Sequence, residues 1–220
     1  MKSHTILFEK TARYFTLGEP HPDVQYFWIV CHGYGQLASK IIYKFDDLGP
    51  SKNFVLAPEA LSRFYWNRAA SEPVGASWMT KKDRLEEIAD YTRFIKKLYD
   101  EYVLRMADEV KIILFGFSQG CATQVRWLMR AFPRFDYLVL WAGLLPEDLD
   151  YTPHADYFSH KKLHWVYGTK DQFLNEDRIK WHHQFMEEQN LNFTTTVFDG
   201  KHKIERAVLL DWFEKIKSEG

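Results

Sequence analysis

The pentapeptide Gly116-Phe117-Ser118-Gln119-Gly120 constrains this chain more than any other stretch. It joins an apolar run, Val110 to Phe115, to an amphipathic run from Cys121 to Phe132. Gly-x-Ser-x-Gly between a strand and a helix makes a turn so sharp that the residues two before and two after the serine must be small. Both are glycine here, and Cys121 behind them is also small. The pentapeptide alone also fits ordinary turn chemistry, in which glycine and serine are common. The rest of the chain decides between the two readings.

Strand-like and helix-like runs alternate from about residue 25 onward. Tyr26 to Cys31, Asn53 to Ala57, Tyr137 to Gly143 and Leu163 to Gly168 are short, nearly continuous apolar runs, as strands covered on both faces require. Between them lie helical patterns at about 37–48, Asp83 to about Tyr102, Asn175 to Leu191 and Ile204 to Lys217. In the second, Leu85, Ile88, Thr92, Ile95, Tyr99 and Tyr102 recur at steps of three and four and define one buried face. Phe193 to Phe198 reads as a final strand. This alternation implies a mostly parallel sheet with helices on both faces. At the N-terminus, Thr5 to Glu9 and Arg13 to Leu17 read as an antiparallel hairpin across Lys10-Thr11-Ala12. Pro58 to Thr80 has no clear period and carries Phe64, Tyr65, Trp66 and Trp78; a stretch this long and aromatic reads as a functional loop.

A length of 220 residues fits one domain spanning 1–220 with a substantial core. With 29 Lys plus Arg against 30 Asp plus Glu, scattered along the chain, nothing points to a nucleic-acid partner. The longest apolar runs are strand-sized, so no membrane span is expected, and Met1 to His4 runs into a strand pattern without a signal-peptide core. Cys31 and Cys121 read as buried hydrophobes outside any disulfide framework. A cytoplasmic protein is the expectation; oligomeric state is not legible.

In open α/β sheets the working crevice lies beyond the carboxyl ends of the strands. Segments that directly follow predicted strands there are His32-Gly33-Tyr34-Gly35, Ser118, the loop after Gly143, Thr169 to Leu174 and Asp199 to Lys203. A serine hydroxyl needs a positioned base, and a histidine base needs a carboxylate to fix its tautomer. His202 is the candidate base. Asp171 is the candidate acid, with Asp148 as a competitor, and the order Ser118, Asp171, His202 is that of an α/β-hydrolase. The backbone N–H of Gln119, at a helix N-terminus, and that of Tyr34, in a glycine-rich loop, are candidate oxyanion donors. His32 reads as an anchor of that loop.

These residues resemble the phospholipase/carboxylesterase family of α/β-hydrolases, which includes acyl-protein thioesterases. The resemblance rests on His32-Gly33-Tyr34-Gly35, Ala57-Pro58, Trp78, the serine pentapeptide, Gly168-Thr169-Lys170-Asp171 and Gly200-Lys201-His202, in order across most of the chain. It implies an α/β-hydrolase fold, Ser118 as nucleophile, Asp171 as acid, His202 as base, and Tyr34 and Gln119 as oxyanion donors. It also implies an acyl ester or thioester as the small-molecule partner and no cofactor. Cys121, Lys170, Lys201 and Tyr34 depart from residues usual in that family, at positions that remove no reacting group.

The aromatic loop supplies Trp66, Trp78 and Met79 as candidate acyl-pocket residues, with Phe173 and Leu174 beside the acid; packing into the body is the alternative for Trp66 and Trp78. The leading expectation is a serine carboxylesterase for small to medium acyl esters. Acyl-protein thioesterase or lysophospholipase activity would use the same groups, and a non-catalytic binding module is the alternative of another class. A metal hydrolase built on His182, His183 or on His154, His160 and His164 lacks zinc-ligand spacing.

Overall fold

The computed structural model describes residues 1–67 and 73–218. Its centre is a seven-stranded sheet, in which β2 (Tyr26–Cys31), β3 (Asn53–Pro58), β6 (Lys111–Phe117), β7 (Tyr137–Trp141), β8 (Lys162–Gly168) and β9 (Phe193–Phe198) run parallel. The strand order is β1-β3-β2-β6-β7-β8-β9, with β1 (Tyr14–Leu17) antiparallel to β3 at one edge. Successive side chains of a strand point to opposite faces, and both faces of the inner strands are apolar. Phe27, Ile29 and Cys31 of β2 enter one core; Trp28 and Val30 enter the other. That double burial explains why these segments read as unbroken hydrophobic runs.

Helices cover each face. The first core is closed by α2 (Arg84–Val103), α3 (Gln119–Ala131), the short α4 (Ala155–Phe158) and α5 (Glu176–Glu188). The second is closed by α1 (Ala38–Ile41), the 3-10 helix that continues it over Ile42–Leu48, and α6 (Arg206–Ser218). The 37–48 pattern is therefore helical but changes its winding after one turn. Asn175 starts α5 by accepting a hydrogen bond from the Arg178 N–H at 2.9 Å. On α2 the expected buried face is present from Ile88 to Tyr102, whereas Leu85, one turn earlier, is exposed.

Two expectations need correction. There is no N-terminal hairpin: Thr5 to Glu9 forms no strand, and Ile6, Leu7 and Phe8 are exposed, while β1 takes its hydrogen bonds from β3. A β-prone run becomes a strand only where a partner edge and an apolar surface receive it, and β3 supplies both for β1 alone. The aromatic stretch is not a plain loop either. It contains an antiparallel pair, β4 (Ser62–Tyr65) and β5 (Val74–Ser77), although residues 68–72 within it lie outside the described residues. No helix among the described residues is long and apolar enough to cross a membrane.

Candidate active site

Ser118 sits between β6 and α3 with φ 52° and ψ −117°, a conformation that a non-glycine residue holds only under constraint from its surroundings. Its N–H donates to the Trp141 carbonyl at 2.9 Å, and its carbonyl accepts from Cys121 N–H at 3.0 Å. The two flanking glycines are sterically required. A Cβ on Gly116 would lie 2.5 Å from the Cα of Cys121, and one on Gly120 only 2.1 Å from the carbonyl oxygen of Cys31.

His202, in the turn after β9, lies with Nε2 2.9 Å from Ser118 Oγ and Nδ1 2.7 Å from Asp171 Oδ2. Asp171 follows β8; its side chain is fully buried, and its second oxygen accepts the Phe173 N–H at 2.9 Å. The turns that carry Asp171 and His202 are stitched together, because Thr169 N–H donates to Phe198 O at 2.9 Å and Lys170 N–H to Gly200 O at 2.8 Å. Rings pack on the imidazole: Phe117 at 5.1 Å and Phe173 at 4.6 Å between centroids. A neutral imidazole in this chain of contacts donates from Nδ1 to the carboxylate, which leaves Nε2 free to accept the serine proton.

Asp148 is committed elsewhere. Burial opposes its ionisation, but hydrogen bonds from Arg84 at 2.8 Å and Arg126 at 2.5 Å prevail and hold its pKa below the usual value. Asp199 pairs with Lys170 at 2.5 Å on the surface.

The early loop folds beside Ser118. The Gly33 N–H donates to Gln36 Oε1 at 2.9 Å, and Gly35 N–H donates to Ala76 O at 2.8 Å, which ties the loop to β5. Among the described residues, neither the Tyr34 N–H nor the Gln119 N–H is used in a protein hydrogen bond. His32 anchors the loop: Nδ1 donates to Gly33 O at 2.8 Å and Nε2 accepts the Ala60 N–H at 3.0 Å. Burial lowers its pKa to about 4, so it stays neutral.

The proposed pocket residues divide. Trp78 is core: its indole N–H donates to His32 O at 2.8 Å and its ring meets Tyr91 edge-on at 5.9 Å. Leu174 is also buried in that core, while Met79 is half-buried against it. Trp66 is 50% exposed, and with Phe64 it flanks Tyr34 on the outside of the loop; Phe173 is 65% exposed beside His202. Trp78 and Leu174 are thus packed into the core, whereas Trp66 and Phe173 present accessible surface. Of the histidines weighed as metal ligands, His182 is buried and accepts the Leu145 N–H at 3.0 Å, and no cluster of three metal-ligating side chains occurs among the described residues.

One contributor escaped the sequence reading. The Gln119 side chain accepts the Trp78 N–H at 3.2 Å and donates to Met79 O at 3.0 Å, fastening the end of β5 to the serine turn. The sequence marks Gln119 for its backbone N–H alone, and nothing in the local pattern announces a contact 41 residues away.

The Phospholipase/Carboxylesterase family matches residues 14–218. The chain belongs to the phospholipase/carboxylesterase family. Among solved structures it is similar to Zea mays acyl-protein thioesterase 2, with a TM-score of 0.71 and 14% identity over 94% of this chain and 99% of that one. It is likewise similar to esterase PE8, with a TM-score of 0.68 and 17% identity over 95% and 99%. A phospholipase/carboxylesterase from Dyadobacter fermentans gives a TM-score of 0.62 and 17% identity over 93% and 97%. No curated protein matches in sequence. At these identities the likeness establishes the α/β-hydrolase fold, and the family match establishes a hydrolase of the phospholipase/carboxylesterase type.

Against the phospholipase/carboxylesterase pattern, Cys121 replaces a usual glycine. Its Sγ lies 3.1 Å from Gly116 O, and burial raises its pKa far above that of a reactive thiol. The cysteine fills space behind the turn, with Sγ 3.4 Å from Trp141 O.

Proposed function

We propose that this chain is a serine carboxylesterase that cleaves small to medium acyl esters through an acyl-enzyme. Ser118 Oγ attacks the carbonyl carbon while His202 Nε2 takes its proton. The carbonyl π pair moves to oxygen, where the N–H groups of Tyr34 and Gln119 receive the developing charge. Collapse expels the leaving alcohol, which takes the proton from His202. Water then repeats the sequence on the acyl-serine, releasing the acid and restoring Ser118. Asp171 holds the imidazole tautomer and stabilises its charged form.

The observation that carries this reading is the unbroken line Ser118 Oγ, His202 Nε2, His202 Nδ1, Asp171 Oδ2, with separations of 2.9 and 2.7 Å at its two hydrogen bonds. The same groups would serve thioesters, and the similarity to an acyl-protein thioesterase makes that bond worth testing. A fluorophosphonate probe should label Ser118, and Ser118→Ala should abolish labelling and p-nitrophenyl ester turnover. Turnover that survives the substitution would sink the proposal. A matched series of oxygen esters and thioesters then ranks the bond cleaved.

A further inference from the structure

A cleft of about 230 Å3 lies between α1 with its 3-10 extension and the turn that carries His202. Its volume is below that of pockets that take drug-sized ligands, roughly 300–1,000 Å3, so it admits a small group. Phe117 and Ile204, both buried, give it an apolar floor. Gln36, which bridges to Ala76 just before α1, Lys40 of α1, Lys44 of the 3-10 extension and Lys203 form its polar rim.

The charges on that rim do not cancel. Lys203 pairs with Glu205 at 2.8 Å, and Asp46 and Asp47 of the same helical segment are engaged by Arg206. Among the described residues, no carboxylate pairs with Lys40 or Lys44. Gln36 uses its Oε1 on the Gly33 N–H, which leaves its amide N–H groups as neutral donors at the rim. An apolar floor under two uncompensated ammonium groups suits an organic anion with a hydrophobic body.

The position of the cleft assigns that anion to one half of the substrate. His202 borders it, and His202 Nε2 must reach the leaving oxygen to hand over its proton. The group attached to that oxygen therefore extends beside His202, whereas the acyl half remains bonded to Ser118. We propose that the cleft receives the leaving group and that Lys40 and Lys44 select esters whose alcohol or phenol bears a carboxylate or phosphate. This rests on the serine-esterase reading above.

The test uses four esters and the whole chain. At low salt, kcat/KM for 4-acetoxybenzoate should exceed that for neutral 4-acetoxybenzamide about tenfold, equivalent to about 1.4 kcal/mol. In 1 M salt, where the screening length falls to roughly 3 Å, the preference should shrink towards unity. The same collapse should follow in Lys40→Gln/Lys44→Gln, with folding checked by thermal melting. Equal rates for the two phenyl esters, or a preference that survives both salt and substitution, overturn the proposal. A preference for mono-4-nitrophenyl succinate over 4-nitrophenyl butyrate, where the anion lies in the acyl half, overturns the leaving-group assignment. Lack of turnover of all four esters overturns the serine-esterase reading and this proposal with it.

Discussion

Gly120→Ala tests whether the tight seat of the serine turn sets catalytic geometry. The added methyl would meet the Cys31 carbonyl oxygen at 2.1 Å, its carbon at 2.7 Å and the His32 carbonyl oxygen at 2.8 Å. All three atoms are backbone, so no rotamer change relieves the contact. β2 cannot yield, because β3 and β6 hold it on both sides. The start of α3 must retreat by roughly 1 Å, and a misplacement of that size costs on the order of 100-fold in rate. That corresponds to about 2.7 kcal/mol in the barrier. Because the Gln119 N–H retreats with the helix, the loss should fall on kcat more than on KM. The overpacking itself should lower stability by about 1–3 kcal/mol. Initial rates on a p-nitrophenyl ester, with urea unfolding of the same samples, measure both. A folded variant with kcat within threefold of the parent would refute the argument.

Asp171→Asn should keep the fold and lower kcat about 10,000-fold, as loss of the correct histidine tautomer does elsewhere; a drop below tenfold in ester turnover would remove Asp171 from the mechanism. Gln119→Ala leaves the backbone N–H in place but strips the Trp78 N–H of its acceptor, so unfolding free energy should fall by about 1–3 kcal/mol. An unchanged melting temperature would show that the side chain does not hold β5 to the serine turn. Stability should also depend on pH through two histidines that burial keeps neutral, His32 with a pKa of about 4 and His182 with a pKa of about 3. The unfolded chain binds protons near pH 6.5 and the folded chain only below these values. Stability is therefore fully present above about pH 6.5 and lost on acidification, on the order of 3 kcal/mol from His32 by pH 4. A flat urea-unfolding free energy between pH 7.5 and 5 would contradict this.

The sheet and the meeting of Ser118, Asp171 and His202 were legible because strong local signals and one architectural rule coincide. Buried parallel strands such as Asn53–Pro58 announce themselves as apolar runs, and the crevice rule then collects Ser118, Asp171 and His202 at their carboxyl ends. The pairing of β4 with β5 was not legible. Each is four residues long and their apolar positions are shared with turn residues, so no period develops. Thr5 to Glu9 failed in the opposite sense, having β-prone residues but no partner edge. Trp78 shows why aromatic content alone cannot separate pocket from core: its indole finds a backbone acceptor inside the fold, which composition does not record. The Gln119 tether and the Lys40–Lys44 rim depend on which loops fold next to one another, and that is set by the sheet as a whole.

Strand order has a consequence for when this chain becomes reactive. Ser118 leaves β6 in the middle of the sheet, while His202, 84 residues later, rides on β9 at the far edge, held by β8 alone. Under the proposed mechanism, a partly assembled sheet that lacks its last strand carries a serine with no base. Such a species is chemically silent, however native the rest of its core. Recovery of esterase activity during refolding would thus report the docking of one edge strand, the step that turns a finished scaffold into a working one.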